Sequence, residues 1–203
     1  MTDALKPNLD EAWTFVSNMS RGRMIHLAAI AEGERVVAAT FEPNETSRVA
    51  SWITDQTGKN IYFHVNALRA GAKNKKATKD DVEEVLAFHT DIDNPEAFEL
   101  LDNFPLRPTV VVASGGGRQA FWLLREPWRD LVLAERLNKA IAGLCGGDHC
   151  WNTDRLMRVP GTVNVPNAKK RAAGRVPGSG SRHQGRLEAP LQRRGLPAVR
   201  PRP

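Results

Sequence analysis

Apolar and polar residues alternate along residues 85–93, which gives the chain its clearest strand pattern. Side chains two positions apart on a strand point to the same face. One face carries the residues that we expect to pack on a core: Leu86, Phe88, Thr90 and Ile92. The opposite face, which we expect to be open, ends in Asp91 and Asp93. Two carboxylates held so close repel each other, and a cation, a shared proton or water is needed to relieve the repulsion.

The same kind of pattern predicts the other elements. Asn8 is expected to cap the first helix, and Gly58 is expected to end the second. Helices are predicted over residues 8–19, 45–58, 95–103 and 128–144. Strands are predicted over residues 25–31, 35–41, 60–68, 81–93, 109–117 and 118–124, the first two as a hairpin.

Composition indicates one globular unit. The chain has 203 residues, of which 41% are hydrophobic, and this is enough for a single core. No apolar run has the eighteen or so residues of a membrane span, and the amino terminus lacks the order of a signal peptide. Two cysteines, Cys145 and Cys150, fit a reducing compartment. We therefore expect a cytoplasmic protein with no membrane contact.

The net charge of +6 is unevenly distributed. Residues 165–203 contain ten Lys or Arg and one acid, Glu188, so the first 164 residues carry about −3 and the rest about +9. We predict a domain over residues 1–171 and a disordered tail rich in Pro, Gly and Arg over residues 172–203. Such a tail can add salt-sensitive affinity for nucleic acid, or it can bind nothing.

The first stretch with chemical potential is "TDID". Two carboxylates on one face are suited to one or two Mg²⁺ or Mn²⁺ ions, the arrangement that grips attacking and leaving oxygens in phosphoryl transfer. An acid pair at a strand end can also be a solvated turn. The core-like opposite face favours the metal site, because it commits both acids to one side.

The second stretch is "ASGGGRQAFWLL". Glycines between two strands let a backbone approach a ligand closely and present N–H groups to phosphate oxygens. The spacing does not match a Walker A loop, and a flexible hairpin turn is the simple alternative. Gln119 and Phe121 are expected on one face of the following strand, with Trp122 and Leu124 on the other.

The third stretch is "NTDRLMRVPGTVN". Asp154 precedes Arg155 and Arg158 and a tight "PGT" turn. Arginine can make bidentate contacts to phosphate, and a third carboxylate would complete a metal site. The simple alternative is a surface ion pair between Asp154 and Arg158.

Together, "HTDID", "SGGGRQAFW" and "DRLMRVPGTVN" resemble the three motifs of the archaeo-eukaryotic primase superfamily, and more closely the RepB-like or PrimPol-like primases of phages and plasmids. The resemblance covers residues 8–171, including "NIYFHVN". It implies an α+β fold: a catalytic core with an antiparallel sheet like that of an RNA-recognition motif, joined to a smaller N-terminal α/β module.

The resemblance also implies the metal ligands. The first motif falls on Asp91 and Asp93 and the third on Asp154, which would be the catalytic, metal-binding acids. Asp148, in "GGDHC", is a second candidate for the third acid. The implied cofactor is Mg²⁺ or Mn²⁺.

The second motif implies the nucleotide contacts. Its Ser-Gly-x-Gly-x-His pattern falls on Ser114, Gly115, Gly117 and Gln119, and Arg158 would contact phosphate. Gln119 stands where the family has a histidine that contacts the phosphates of the incoming nucleotide. A glutamine can donate a hydrogen bond but carries no charge, which puts normal turnover in question.

Other polar side chains have simpler interpretations. His89 lies on the acid face, where it is expected to be a hydrogen-bonded neighbour rather than a nucleotide contact. Cys145, His149 and Cys150 lack the second pair of ligands that a zinc site needs. Of Tyr62 and Phe63, which could stack on bases, we expect at least one to pack in the core.

Three functions follow as hypotheses. The favoured one is a primase or primase-polymerase of a mobile element, which uses nucleoside triphosphates and a single-stranded DNA template. Many relatives carry a helicase, so unwinding is expected from a separate helicase or a missing C-terminal part. The alternatives are a non-catalytic module that initiates replication or binds single-stranded DNA on the same fold, and a two-metal nuclease.

Overall fold

Helices and strands are defined in a computed structural model that describes residues 5–172, 174, 176–179 and 181–183. The helices are α1 (Leu9–Ser20), α2 (Thr46–Asp55), α3 (Phe98–Asp102), α4 (Leu131–Cys145) and α5 (Ala168–Ala172). The strands are β1 (Ile25–Ile30), β2 (Val37–Phe41), β3 (Asn60–His64), β4 (Ala67–Leu68), β5 (Val82–Ile92), β6 (Val110–Ala113), β7 (Arg118–Trp128), β8 (Leu156–Arg158), β9 (Val163–Asn164), β10 (Gly178–Ser179) and β11 (Ser181–His183). No helix among these residues is long and apolar enough to cross a membrane.

The first sheet has the strand order β2-β1-β3-β8, and each neighbouring pair of strands is antiparallel. Helix α1 begins where the sequence predicts it, because the Asn8 side chain accepts a hydrogen bond from the N–H of Glu11 at 3.1 Å. The outer strand β8 comes from the third stretch, more than ninety residues after β3. The N-terminal module is therefore completed by a C-terminal segment.

The second sheet has the order β11-β6-β7-β5-β4, and the long β5 and β7 form its centre. Helices α3 and α4 cover one face, where Phe88, Ile92 and Trp122 are buried. This is the face of β5 that the sequence predicts as a core face. The predicted faces of β7 are also confirmed. Trp122 packs in this core, and Phe121 packs in the core on the other face of the sheet.

The opposite face of β5 is not open, as the sequence led us to expect. Ala87 and His89 are both 0% exposed, and Ala87 joins a second core formed by α1, α2, both sheets and the residues after β8. Asp93 alone of the acid face is exposed, and Asp91 is partly buried. The alternation is correct from Ala87 onward, but Val85, which it places on the acid face, packs in the core of the other face because a β-bulge shifts the register between Val85 and Ala87. Periodicity within one strand also cannot show that another sheet covers its polar-ended face.

The strand predicted over residues 60–68 is interrupted at Asn66, a residue that is 3% exposed. Its side-chain oxygen accepts a hydrogen bond from the N–H of Leu86 at 3.0 Å, and its amide group donates to the carbonyl of Thr153 at 2.9 Å. The first part, β3, stays in the first sheet and the second part, β4, joins the second sheet. Asn66 thus holds the crossing between the two sheets.

Several predicted boundaries shift. Helix α2 ends at Asp55 instead of Gly58, and α4 begins at Leu131, after β7 has continued to Trp128. Within the predicted disordered tail, β10 pairs with β9 and β11 pairs with β6, since both partners offer free backbone groups at a strand edge. Residues 173, 175, 180 and 184–203 of the predicted tail lie outside the described residues.

We predict that Asn66→Ala lowers the free energy of unfolding by about 2–3 kcal/mol, because it leaves buried backbone groups without partners. Urea unfolding monitored by tryptophan fluorescence measures the change. Asn103→Ala is the matched control, since Asn103 is exposed at the end of α3. Equal stabilities of the two variants would contradict the role given to Asn66.

Candidate active site

The centre of the site is the carboxylate pair at the end of β5. Asp91 lies directly opposite Gln119 of β7 in the ladder, and the neighbouring pair joins Ile92 and Arg118. Burial and the negative charge of Asp93 raise the pKa of Asp91 to about 6. Asp91 Oδ1 is buried and accepts no hydrogen bond from the described residues. The predicted pairing of the two acids is thus seen in their electrostatics.

Gln119 joins the two sheets at this point. Its side chain is 5% exposed, and its Oε1 accepts a hydrogen bond from the backbone N–H of Arg158 at 3.0 Å. The same side chain is hydrogen-bonded to the Asp91 carboxylate, which opposes the rise of that pKa. Both ends of the amide are therefore engaged, one with β5 and the other with β8.

The glycine turn between β6 and β7 approaches the carboxylates closely. A Cβ at Gly117 would lie 2.5 Å from Asp93 Oδ1 and 2.8 Å from the carbonyl of Ile92, so only glycine fits there. The turn closes through a 2.9 Å hydrogen bond from the N–H of Ser114 to the carbonyl of Gly117. Gly115, with φ at +87°, lies at its exposed tip.

The third stretch is anchored to the same place. Asn164 Nδ2 donates to the carbonyl of Ser114 at 2.9 Å, which ties the "PGTVN" segment to the glycine turn. Together with the Gln119 bond to Arg158, this contact brings all three stretches to one edge of the second sheet. The three stretches that the sequence analysis singled out therefore meet in the fold.

Arg158 is 8% exposed and already has partners. Its guanidinium donates to Asn60 Oδ1 at 2.9 Å and to the Tyr62 hydroxyl at 3.3 Å, and it lies over the Tyr62 ring. Burial lowers the pKa of Arg158, while Tyr62, Asp91 and Asp93 favour its charged form. The predicted ion pair between Asp154 and Arg158 is not formed.

The two candidates for the third acid lie in different surroundings. The N–H of Asp148 donates to the carbonyl of Asp91 at 2.7 Å, and the negative charge of Asp148 helps to raise the pKa of Asp91. Asp154 instead accepts a hydrogen bond from Asn152 and acts electrostatically on His64. The contacts bring Asp148 to the carboxylate pair, so the assignment of Asp154 remains a prediction.

Gly147 allows the backbone of Asp148 to approach Asp91 closely, since a Cβ on Gly147 would lie 2.1 Å from Thr90 Oγ1. His89 fixes the segment that follows: its Nε2 lies 3.0 Å from the carbonyl of Cys150, and burial lowers its pKa to about 4, so the ring is neutral. The simpler interpretation of His89 as a hydrogen-bonded neighbour is therefore supported.

Asn138 of α4 also supports the acid-bearing end of β5, a role that the sequence analysis did not predict. Its side-chain oxygen accepts from the N–H of His89 at 3.1 Å, and its amide group donates to the carbonyl of Trp151 at 3.1 Å. Asn138 stands between Ala134 and Ala142 at a spacing of four, so a polar residue interrupts a small apolar stripe. That interruption was the available signal.

The donor set fits a hard divalent cation. Carboxylate oxygens are the ligands that Mg²⁺ and Mn²⁺ prefer, and Mg²⁺ often uses one or two carboxylates together with substrate phosphates. Asp91 offers a buried oxygen without a partner, beside a second carboxylate. Within the described part of the chain, no group of three or more His, Cys, Asp or Glu could hold a metal ion. The donor set therefore fits a metal ion held by Asp91 and Asp93, not one enclosed by protein ligands on all sides.

Comparison with solved structures gives the fold. The AEP domain of a cyanophage S-2L primase-polymerase aligns with a TM-score of 0.62 and 17% identity, over 90% of this chain and 92% of that one. The catalytic domain of primase RepB′, solved with initiator DNA, aligns at 0.66 and 9% over 91% and 88%. A longer RepB′ chain, of which 58% is covered, aligns at 0.65 and 10%. No family model and no curated protein sequence matches the chain.

The predicted fold class is thereby confirmed: the chain has the fold of archaeo-eukaryotic primase domains.

The raised pKa of Asp91 predicts that the free energy of unfolding depends on pH. Between the unfolded value near 3.9 and the folded value of about 6, the folded protein binds more protons. Ionisation of Asp91 therefore lowers the free energy of unfolding as pH rises through this window. Asn cannot ionise, so the stability of Asp91→Asn relative to the wild type should increase by about 1 kcal/mol between pH 5 and 7.5.

Urea unfolding in EDTA at the two pH values measures this difference. Burial keeps the pKa of each of His26, His64 and His89 at about 4, so these rings stay neutral over the range. Asp80→Asn is the control, because Asp80 is exposed. A stability difference for Asp91→Asn that does not change with pH would contradict the raised pKa.

Proposed function

We propose that this protein is a template-dependent nucleotidyltransferase, a DNA primase or primase-polymerase of a mobile element. The observation that carries the proposal is the convergence of a carboxylate pair, a glycine turn and an arginine-containing segment at one edge of a sheet. It is supported by the fold shared with primase domains. The reaction would use nucleoside triphosphates and a single-stranded DNA template, with unwinding by a separate helicase.

In this proposal a 3′-hydroxyl attacks the α-phosphate of the incoming nucleoside triphosphate and pyrophosphate leaves. Asp91 and Asp93 would hold Mg²⁺ or Mn²⁺, which when bound lowers the pKa of the hydroxyl and neutralises phosphate charge. Gln119 keeps Asp91 oriented through their hydrogen bond. The exposed tip of the turn, at Gly115, would face the phosphates, while Gly117 keeps the turn close against Asp93.

We also propose that Asp148, rather than Asp154, is the third acid of the site. Asp148 is exposed, its backbone is hydrogen-bonded to Asp91, and its charge acts on that carboxylate. The negative charge of Asp148 would therefore act on a metal ion or a triphosphate bound at Asp91 and Asp93. Asp154 stays with Asn152 and His64 in this account.

A non-catalytic module that binds single-stranded DNA is the second candidate. The observation in its favour is Gln119, which is neutral, buried and engaged at both ends. This candidate predicts salt-dependent DNA binding that needs no divalent ion and survives loss of the carboxylates. One of the solved neighbours, RepB′, is a primase in complex with initiator DNA.

Primer synthesis on a single-stranded template tests the proposal. With Mn²⁺ or Mg²⁺ and labelled nucleotides, we expect the full-length chain to synthesise primers. Asp91→Asn and Asp93→Asn should each reduce the rate at least a hundredfold, on the order of the contribution of a positioned electrostatic group. The exposed control Asp80→Asn should leave the rate unchanged.

The outcomes separate the candidates. Synthesis that survives Asp91→Asn combined with Asp93→Asn would contradict the proposal. Metal-independent DNA binding without synthesis by the wild type would favour the binding module. Metal-dependent degradation of labelled DNA without added nucleotides would favour a nuclease.

The third acid is tested in the same assay by comparing two isosteric substitutions. Asp148→Asn should reduce synthesis about tenfold or more, because it removes a negative charge beside the pair. Asp154→Asn should have a smaller effect. The opposite ranking would restore Asp154 as the third acid and leave the carboxylate pair itself in place.

A further inference from the structure

Arg155 follows Asp154 and directly precedes β8, and hydrogen bonds to β3 and to the residue that follows β3 fix its backbone. Its carbonyl accepts a hydrogen bond from the N–H of Val65 at 3.3 Å, and the next residue, Leu156, pairs with His64 in the first sheet. The positive charge of Arg155 opposes the rise in the pKa of both Asp91 and Cys150. The side chain therefore lies within electrostatic range of the carboxylate pair.

The guanidinium of Arg155 has no partner among the described residues. It donates no hydrogen bond and forms no ion pair there, and its Nε is buried. Exposed arginines such as Arg107 are solvated by water, but the buried Nε of Arg155 lacks both water and a protein partner. An unpaired cation at this depth indicates a place for an anionic ligand.

One oxygen of the Asp91 carboxylate shows the same lack of a partner. Asp91 Oδ1 is buried and without a partner, yet Asp91 and Arg155 do not form an ion pair within 4 Å. A divalent cation carrying a triphosphate offers what both groups lack: the cation for the carboxylate and phosphate oxygens for the guanidinium. A simple phosphate, or a metal alone, would complete only one of them.

Arg158 is less available for this role than the sequence suggested. Its NH1 and NH2 groups already donate to Asn60 and Tyr62, and it is 8% exposed. Gln119, at the position of the family's histidine, is held by Asp91 and Arg158 and carries no charge. Arg155, by contrast, has an unpartnered donor, and its planar group can make bidentate contacts to phosphate.

We propose that Arg155 binds the phosphate chain of the incoming nucleoside triphosphate and supplies the positive charge that Gln119 lacks. This inference rests on the proposed function and names the residue that recognises its substrate. Arg158 then acts as a positioning residue, which holds Gln119 through its backbone N–H. Because the contact is to phosphate, it does not depend on the base.

The first test compares Arg155→Gln and Arg155→Lys with the exposed control Arg107→Gln. Steady-state primer extension gives KM for the nucleotide, and fluorescence anisotropy gives affinity for single-stranded DNA. We expect Arg155→Gln to raise KM about 10- to 100-fold, the equivalent of one or two charge-assisted hydrogen bonds. DNA affinity should stay within about twofold, and Arg155→Lys should retain part of the nucleotide affinity.

A second readout needs no catalysis. Binding of fluorescently labelled ATP and dATP is measured in EDTA and in Mn²⁺, and Arg155→Gln should weaken it in both. The double variant Arg155→Gln, Gln119→His should recover part of the binding below pH 6.5, where a histidine carries charge. Binding by Arg155→Gln equal to that of Arg107→Gln would overturn the inference.

Chemical modification of the wild type covers the case in which Arg155→Gln does not fold. Phenylglyoxal modification followed by mass spectrometry should show that ATP protects Arg155 and leaves Arg107 reactive; equal reactivity with and without ATP would overturn the inference. Failure of the wild type to synthesise primers would instead count against the proposed function. A wild-type KM in Arg155→Gln would count against Arg155 alone.

Discussion

The side chain of Gln119 holds the two sheets together at the edge where the acids lie. One end of its amide bonds to Asp91 of β5, and the other accepts the backbone N–H of Arg158 in β8. Because β8 is the outer strand of the first sheet, this buried side chain helps to set the position of the third stretch relative to the carboxylates. A residue that the sequence marks as a departure from the family pattern is, in the fold, a bridge between sheets.

Buried amides repeat this arrangement along β5. Asn66 joins β5 to the segment before β8, and Asn138 joins it to α4 and to the carbonyl of Trp151. Each uses both its donor and its acceptor, which is the condition under which a buried polar network stabilises a fold. The carboxylates differ from these amides, since Asp91 retains a buried oxygen without a partner. The contrast separates the candidate site from the scaffold that holds it.

The sequence predicted those features that depend on local pattern. The faces of β5 and β7, the Asn8 cap of α1 and the β1–β2 hairpin follow from periodicity and capping chemistry. It could not show that the acid face of β5 is covered, because the covering residues come from α1 and the first sheet. Nor could it separate Asp148 from Asp154, since the contact of Asp148 with β5 depends on a close approach at Gly147.

The central claim is that the pair Asp91 and Asp93 binds a divalent cation, and direct Mn²⁺ binding tests it most simply. Electron paramagnetic resonance of free Mn²⁺, recorded with the full-length chain and a nucleoside triphosphate at pH 7.5, should show loss of the free-ion signal beyond that caused by the nucleotide. The Asp91→Asn, Asp93→Asn double variant should leave that signal unchanged. Equal Mn²⁺ binding by the double variant and the wild type would contradict the account.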